Sequence, residues 1–517
     1  MTRNADVSVE GGRKLQPPQS TSLWIAGRWS LPALLVLAFA VRATDFFAFP
    51  SLHCPDEVFE TLEPAHRIAF GYGIKSWEFV DGIRSMVFPY FLAGLFRLSS
   101  TVFGGPEGYI TFSRLTLALL SCLPVAAIWR MGKRESPAHA LIAGVVAATW
   151  FEQAFFSFRT LNEAVACDFA LTALALASRP AAAFTGRALA AIGACLATSV
   201  MLRLQLAPGA VFVWLVVGQA RFADRWRPLA MGAAPVVALF GAVDWLTWGA
   251  PFISYLRYMD FNLGVGGASK FGEEPWNWYP TFLAALWFPF APLIAGLGLG
   301  ALLRRRWLLW AAYAAIEIGV HSLIPHKEYR FIYPATAALI IAAALVSADL
   351  LRTAPYWRRA AVAAAWVSAS AGLALSPGFD SLWRHEREVI AAEYWLAHRA
   401  DLCGVMFYNG NWYGGYAYLH RDAPIYSPAY VAGLADRGPT DFAEAGRSAA
   451  RSANGAYNYV VLDKRDLAAF PGWRTGGCFY GLTCVVMRTG GCRGDSTLVP
   501  VASVPRIGEP RVLAAGR

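Results

Sequence analysis

A chain of 517 residues could hold several soluble domains, but 56% of it is hydrophobic, only 15% is charged, and its mean hydropathy is +0.40. These values exclude an ordinary soluble enzyme and a disordered scaffold; they describe a polytopic membrane protein with at most one smaller soluble piece. The net charge of +10 is no nucleic-acid signal, because the basic residues fall in short clusters between apolar runs, where membrane topology places them.

Residues 1–28 carry Arg3, Arg13, Lys14, Arg28 and Pro17-Pro18 and read as a disordered cytoplasmic tail. The first apolar run after them lacks a small-residue cleavage site, so it reads as a retained helix rather than a signal peptide. Apolar spans recur at 29–48, 109–130, 138–156, 161–178, 188–202, 205–220, 229–247, 279–302, 307–324, 331–348 and 360–376. Each is about long enough to cross a ~30 Å hydrocarbon core, 188–202 and 205–220 being the shortest. They predict about eleven transmembrane helices across residues 29–376. Residues 86–103 are also apolar, but Arg97 and the flanking turn residues make them interfacial or re-entrant.

Parity sorts the loops. With the N-terminus inside, the inner loops hold Arg130, Lys133 and Arg134; Arg179 and Arg187; Arg221, Arg225 and Arg227; Arg304, Arg305 and Arg306; and Arg352, Arg358 and Arg359. Glu135, Asp224 and Asp349 are their few acids. This bias satisfies the positive-inside rule. The charges it does not explain then gather on the outer side, in 53–103, 157–163, Arg203 with Gln205, 247–279 and 326–334. Residues 49–107 form the first outer loop, which packs Asp56, Glu57, Glu60, Glu63, Glu78 and Asp81 into a chain otherwise poor in charge. Acids at the mouth of a membrane helix are costly unless solvated or paired, and so point to a site.

Residues 377–517 differ in composition and predict a small α/β domain on the outer side, with Val460–Asp463 and Thr483–Met487 as short buried strands and a loose final stretch of about twenty residues. Cys122, Cys167 and Cys195 fall in spans as small packing residues. Cys403, Cys478, Cys484 and Cys492 fall in the outer domain and predict one or two disulfides of open connectivity. A zinc site is the weaker alternative, for want of a Cys-x2-Cys spacing.

Pro55 before Asp56 and Glu57 favours a turn or helix start. One of the two carboxylates can then serve as a general base while the other orients or caps. His326, Lys327 and Arg330 lie in a short outer loop where positive-inside topology disfavours cations, so they need a bound anion such as a phosphate, or internal salt bridges to Glu328 or Glu163. Arg84, Arg159 and Arg203 are further candidates for either role. Trp276, Trp278 and Tyr279 suit an interfacial belt better than sugar stacking. A carboxylate beside a phosphate-gripping cluster at a membrane surface suits transfer from a lipid-linked phosphosugar. The phosphate leaves readily, so one base and a set of cations could suffice, whereas glycoside hydrolysis usually needs two working carboxylates.

At these residues the chain resembles a known family. Pro55-Asp-Glu-Val-Phe-Glu-x-x-Glu-Pro-Ala-His66, Phe70-Gly-Tyr-Gly, Trp77-Glu, Ile83-Arg-Ser and Pro89 resemble the acidic motif of polyprenol-phosphate-mannose-dependent mannosyltransferases. These form glycosyltransferase family 22 of the GT-C superfamily and include the GPI-anchor and ALG enzymes. His326-Lys-Glu-x-Arg-Phe-Ile-x-Pro334 resembles the family's second signature, and Arg159-Thr-Leu, Phe261-Asn and Trp276-x-Trp-Tyr279 fit weaker blocks. The likeness spans roughly residues 30–430. It implies an α-helical GT-C fold and inverting transfer of mannose from a polyprenyl-phosphate donor to a glycan or glycolipid acceptor. It also implies Asp56 as base with Glu57 beside it, and His326, Lys327 and Arg330 as ligands of the donor phosphate. No cofactor is implied, and a divalent metal is left open. One departure is Cys54 where many members have His directly before Pro-Asp-Glu; His53 stands one place earlier. The Ala/Arg-rich composition suggests a bacterial inner membrane with the site facing the periplasm, or the lumenal face of the ER in a eukaryote. The alternatives are a flippase for lipid-linked glycans, for which neither deep intramembrane charges nor inverted repeats speak, and another GT-C enzyme such as a protein O-glycosyltransferase or an arabinosyltransferase.

Overall fold

The computed structural model describes residues 30–409, 414–427, 447–494 apart from 449 and 454, and 498–503 apart from 499. The tail 1–28 and residues 504–517 of the loose C-terminal stretch lie outside the described residues.

All eleven apolar stretches are helical over most of their length, and proline and serine positions decide where they break. Helix α1 (Ser30–Ala48) leads into the loop 49–107, which contains a π-helical turn (Glu57–Leu62), α2 (Glu63–Phe70) and α3 (Val87–Ser100). Helices α4 (Gly105–Leu120) and α5 (Cys122–Glu135) follow, interrupted at Ser121. Pro124 has no N–H to give the Leu120 carbonyl, so the hydrogen-bond ladder cannot run through. Helix α6 (Pro137–Thr149) ends at Trp150 and a short helix, Phe151–Phe156, continues beyond it. Ser370 fills this break: its hydroxyl donates to the Thr149 carbonyl (3.0 Å) and accepts the Phe151 N–H (2.8 Å). Then come α7 (Asn162–Ala177), α8 (Gly186–Leu202), α9 (Ala207–Gly218), α10 (Arg227–Trp248), α11 (Trp278–Leu286), α12 (Ala291–Leu302), α13 (Leu308–Ser322), α14 (Tyr333–Leu350) and α15 (Tyr356–Ala374). The predicted span 279–302 is divided between α11 and α12, with Pro289 in the break.

Among the described residues, four runs are long and apolar enough to cross a bilayer: Ser30–Ala48, Gly105–Glu135, Phe222–Trp248 and Tyr329–Leu350. A fifth is added if the bent pair Tyr356–Ala374 and Pro377–Ala397 counts as one. Pro137–Thr149, Gly186–Leu202, Leu204–Gly218 and Ala291–Leu302 are apolar but shorter. Helix α3 has 14 residues and rises about 21 Å, short of the ~30 Å core. Its exposed Tyr90, Phe91 and Leu98 suit a helix lying at the interface.

Helix α14 forms the centre of the bundle, and residues from Tyr333 to Ala348 on every side of it are buried; a helix apolar all round belongs in such a place. Helices α8 and α10 come into backbone contact where Gly193 faces the Leu229 carbonyl and Gly232 faces the Ala190 carbonyl; a Cβ at either glycine would collide with that backbone. At one end of the bundle, Asp349 receives Trp307 Nε1 (2.7 Å), His139 Nε2 (3.0 Å) and Arg306 (3.4 Å), and Arg306 also pairs with Glu135 (3.3 Å). Helix α13 starts at that end, and near its far end His321 lines a cleft together with Asp56 and Glu60 of the loop 49–107.

The predicted α/β piece is present. Helix α16 (Arg387–Ala397) and the short α17 (Tyr416–Leu419) accompany a five-stranded sheet of β1 (Val405–Phe407), β2 (Ile425–Tyr426), β3 (Tyr459–Asp463), β4 (Arg474–Phe479) and β5 (Thr483–Met487). The order is β2-β1-β3-β5-β4, parallel across β2-β1-β3 and antiparallel across β3-β5-β4. Both predicted strands are there, β3 and β5. The cysteines pair as Cys403–Cys492 and Cys478–Cys484, which leaves none of the four for zinc. This piece is stitched to the loop 49–107 and to α4: Glu63 accepts the N–H of Ala417 (2.6 Å) and of Ile74 (2.9 Å), Tyr109 of α4 donates to the Ala417 carbonyl (2.5 Å), and His66 Nε2 meets His420 Nδ1 (3.1 Å).

Candidate active site

The local structure begins at Pro55, whose carbonyl accepts the N–H of Val58 and of Phe59, both at 2.9 Å. Asp56 caps the π-helical turn that follows. Neighbouring side chains on a helical turn diverge by about 100°, and this separates the two acids. Glu57 points inward and is fully buried. It accepts the His53 N–H (2.6 Å) and pairs with Arg114 (3.2 Å) and Arg159 (3.4 Å). Asp56 points into a cleft of about 700 Å³, with 26% of its side chain exposed, and pairs with Arg330 at 2.6 Å. Glu60 returns to the same side one turn later, as i,i+4 neighbours do, and pairs with Arg84 and with Arg203 (3.8 Å).

The second signature closes the cleft from the other side. Glu328 accepts from Arg330 Nη2 (2.9 Å) and faces His326 Nε2 (3.0 Å). Arg203 pairs with Glu163 (2.7 Å), which also lies 3.8 Å from Arg330 Nε. Cations and carboxylates thus alternate around the cleft. A second hollow of about 500 Å³ shares Glu60, Arg84, Arg203 and Gln205 with it. Among the described residues no group of three or more His, Cys, Asp and Glu is placed to hold a metal ion; the acids of the cleft face guanidinium groups.

Burial pushes the Asp56 carboxyl up, but Arg330, helped by a hydrogen bond with Glu60 and by Arg84, brings the group below its ordinary range. Glu60 goes the other way: burial, aided by the charge of Asp56, outweighs Arg84 and lifts it to about 8. Glu78 rises to about 7 through burial and the same Asp56 charge. The cleft therefore holds two carboxylates kept ionised, Asp56 and Glu328, beside two acids poised near neutrality.

Of the residues singled out from sequence, the cleft gathers Asp56, Arg84, Arg203, His326 and Arg330. It does not gather Glu57, Arg159 or Lys327. Arg159 is buried and holds the Ser51 carbonyl (2.5 Å) and hydroxyl (2.8 Å) as well as Glu57. Lys327 donates to the carbonyls of Ile324 (2.6 Å) and Glu274 (2.9 Å), tying two loops together. Both internal salt bridges considered for the basic loop exist, from Arg330 to Glu328 and to Glu163, and they coexist with its place in the cleft. Sequence reasoning did not assign Glu60, Glu78 or His321 to the site. The i,i+4 spacing of Asp56 and Glu60 could have found the first; nothing local marks the other two.

A sequence model of the Alg9-like mannosyltransferase family matches residues 33–392, which include both signatures. The chain belongs to the Alg9-like mannosyltransferase family. Membership makes it an integral-membrane glycosyltransferase. This Alg9-like chain is similar to GPI mannosyltransferase 3 of Yarrowia lipolytica, at 28% identity over 76% of each chain. It is also similar to GPI mannosyltransferase 3 of Drosophila melanogaster, at 27% identity over 58% of this chain and 54% of the relative. The human GPI alpha-1,2-mannosyltransferase 3 is 24% identical over 58% of this chain and 55% of that one. Among solved structures, ArnT from Cupriavidus metallidurans bound to undecaprenyl phosphate has a TM-score of 0.59 at 13% identity, covering 89% of the Alg9-like chain and 98% of its own. The apo form gives 0.56. At that identity the likeness is one of fold, and the fold is GT-C.

Proposed function

We propose that this chain transfers mannose, with inversion, from a polyprenyl-phosphate donor to a glycan or glycolipid acceptor, in a cleft on the outer face of the membrane: the periplasmic side in a bacterium, the lumenal side in the ER. The observation that carries the reading is the divergence of the two adjacent acids. Asp56 meets the cleft and Arg330, whereas Glu57 is committed to Arg114 and Arg159. The donor class is supported by the undecaprenyl phosphate bound by ArnT, a protein of the same fold. Family membership sets aside the flippase alternative.

In this mechanism Asp56 takes the proton of the acceptor hydroxyl as its oxygen attacks the anomeric carbon. The bond from that carbon to the phosphate oxygen breaks, and polyprenyl phosphate departs with the electron pair. A single displacement inverts the carbon. Arg330, Arg203, Arg84 and His326 offset the charge that grows on the phosphate. Arg330 also keeps Asp56 ionised, so one guanidinium serves both the base and the leaving group. Lys327 and Arg159 hold the framework. Guanidinium groups supply the cationic charge, and the reading calls for no cofactor.

The test is transfer by purified chain from polyprenyl-phosphate mannose to a mannosylated lipid acceptor. Asp56→Asn lowers turnover by ~100- to 10,000-fold while donor binding survives. Near-normal turnover in Asp56→Asn, with loss confined to a well-folded Glu57→Gln, would assign the base to Glu57 instead. A wild-type chain that uses a nucleotide sugar and ignores the lipid phosphate overturns the donor class.

A further inference from the structure

We infer that the cleft contains a subsite that reads sugar hydroxyls through hydrogen-bond acceptors, centred on His321 with Gln205 and Glu78. The inference rests on the glycosyl-transfer reading and adds to it the part that recognises the sugar.

His321 lies in the last turn of α13, is 98% buried by its 2% exposure, and lines the same cleft as Asp56 and Arg330. Its Nδ1–H donates to the Glu317 carbonyl at 2.8 Å. That bond fixes the ring and the tautomer, so Nε2 carries a lone pair and no proton. Nε2 has no hydrogen-bond partner among the described residues. The ring is anchored from behind as well. The Glu317 carboxylate accepts the Gly209 N–H at 2.7 Å, and Gly209 allows this because any Cβ there would collide with that carboxylate. Two more oxygens of the same cleft, Gln205 Oε1 and Glu78 Oε2, the latter an acceptor when Glu78 is ionised, are buried without hydrogen-bond partners among the described residues.

Buried acceptors left unpaired are costly and call for a donor from outside the protein. The guanidinium groups of the cleft already face carboxylates and suit a phosphate. An ionised phosphate offers no hydrogen and cannot satisfy acceptors. The hydroxyls of a hexose can, because each brings an O–H. The guanidinium groups thus suit the phosphate of a substrate, and the unpartnered acceptors suit the hydroxyls of its sugar. The hydroxyls could belong to the sugar of the donor or to that of the acceptor, and the experiment separates these.

Full-length His321→Phe and His321→Gln proteins are compared with wild type. Binding of polyprenyl phosphate and of polyprenyl-phosphate mannose is measured by calorimetry, and the KM of a mannosylated lipid acceptor by transfer. If the donor sugar is read, His321→Phe weakens binding of polyprenyl-phosphate mannose about ten-fold and leaves polyprenyl phosphate unchanged. If the acceptor sugar is read, both lipid affinities hold and the acceptor KM rises about ten-fold. In either case His321→Gln, which restores an acceptor oxygen, recovers most of the loss. The inference is overturned if His321→Phe matches wild type for all three, or if it weakens polyprenyl phosphate equally and His321→Gln recovers nothing. A wild-type chain that neither binds nor uses the mannosyl donor is a separate result, which overturns the proposed function and this inference with it.

Discussion

The carboxylate of Asp56 lies 2.6 Å from the guanidinium of Arg330, and this one ion pair joins the acidic motif of the loop 49–107 to the basic motif before α14. It helps keep the proposed base ionised and places the proposed phosphate partner beside it.

Arg330→Ala is expected to weaken polyprenyl-phosphate binding on the order of 100-fold, since it removes a buried, charge-assisted partner. It should also move the acidic limb of the kcat/KM profile to higher pH, because Arg330 is what offsets the burial that raises Asp56. Lys327→Met should leave polyprenyl-phosphate binding within about three-fold and lower the melting temperature instead, since its ammonium holds loop carbonyls. Calorimetry with thermal denaturation of the detergent-solubilised protein separates the two. Equal losses of affinity would place Lys327 on the phosphate after all.

Glu57→Gln is expected to destabilise the fold by about 3–5 kcal/mol, the cost of leaving a buried ionic partner uncompensated. Arg114 and Arg159 both depend on this carboxylate, and both are buried. Asp56→Asn should cost less than about 1 kcal/mol, because Asp56 is partly exposed and Arg330 retains Glu328. Denaturant midpoints for the two variants give the comparison, and reversal of their order would contradict the assignment of Glu57 as the framework acid.

Acid should loosen the contact between the loop 49–107 and the C-terminal piece. Burial lowers the His66 imidazole from 6.5 to about 3. As pH falls below 6.5, the unfolded state takes up a proton that the folded state refuses, so stability falls with pH through that window. At pH 5 the difference from neutrality is about 2 kcal/mol for this group. His66→Gln should therefore lose less stability between pH 7 and pH 5 than wild type, in melts at matched ionic strength. Parallel losses would show that other groups govern the acid response.

Sidedness can be tested at two exposed positions at opposite ends of the bundle. Trp276 is 73% exposed near the cleft, and Arg305 is exposed at the end occupied by Asp349 and Glu135. Among the described residues, the free cysteines other than half-buried Cys195 are buried, which keeps background labelling low. A membrane-impermeant maleimide applied from outside should label Trp276→Cys and spare Arg305→Cys. The opposite pattern would place the cleft in the cytoplasm.

The sequence by itself determined the helical membrane class, the loop that concentrates acids, the two signatures and the strands β3 and β5. These are written locally, in hydropathy, in charge bias and in runs such as Pro55-Asp-Glu and Val460-Val-Leu-Asp463. Helix lengths were less legible, because breaks at Ser121 and Trp150 depend on Pro124 and on a hydroxyl from Ser370 far along the chain. Only the tertiary structure decided which acid of the pair meets the cleft, since the direction of a helical turn depends on what packs against it. Arg84 and Arg203 line the cleft while Arg159 and Lys327 hold framework oxygens for the same reason: one cationic side chain can serve a ligand or a carbonyl, and its neighbours choose. The disulfide pairing needed the sheet that brings Cys478 opposite Cys484. His321 belongs to no motif; its role depends on a carbonyl one turn before it and on a cleft assembled by four other segments of the chain.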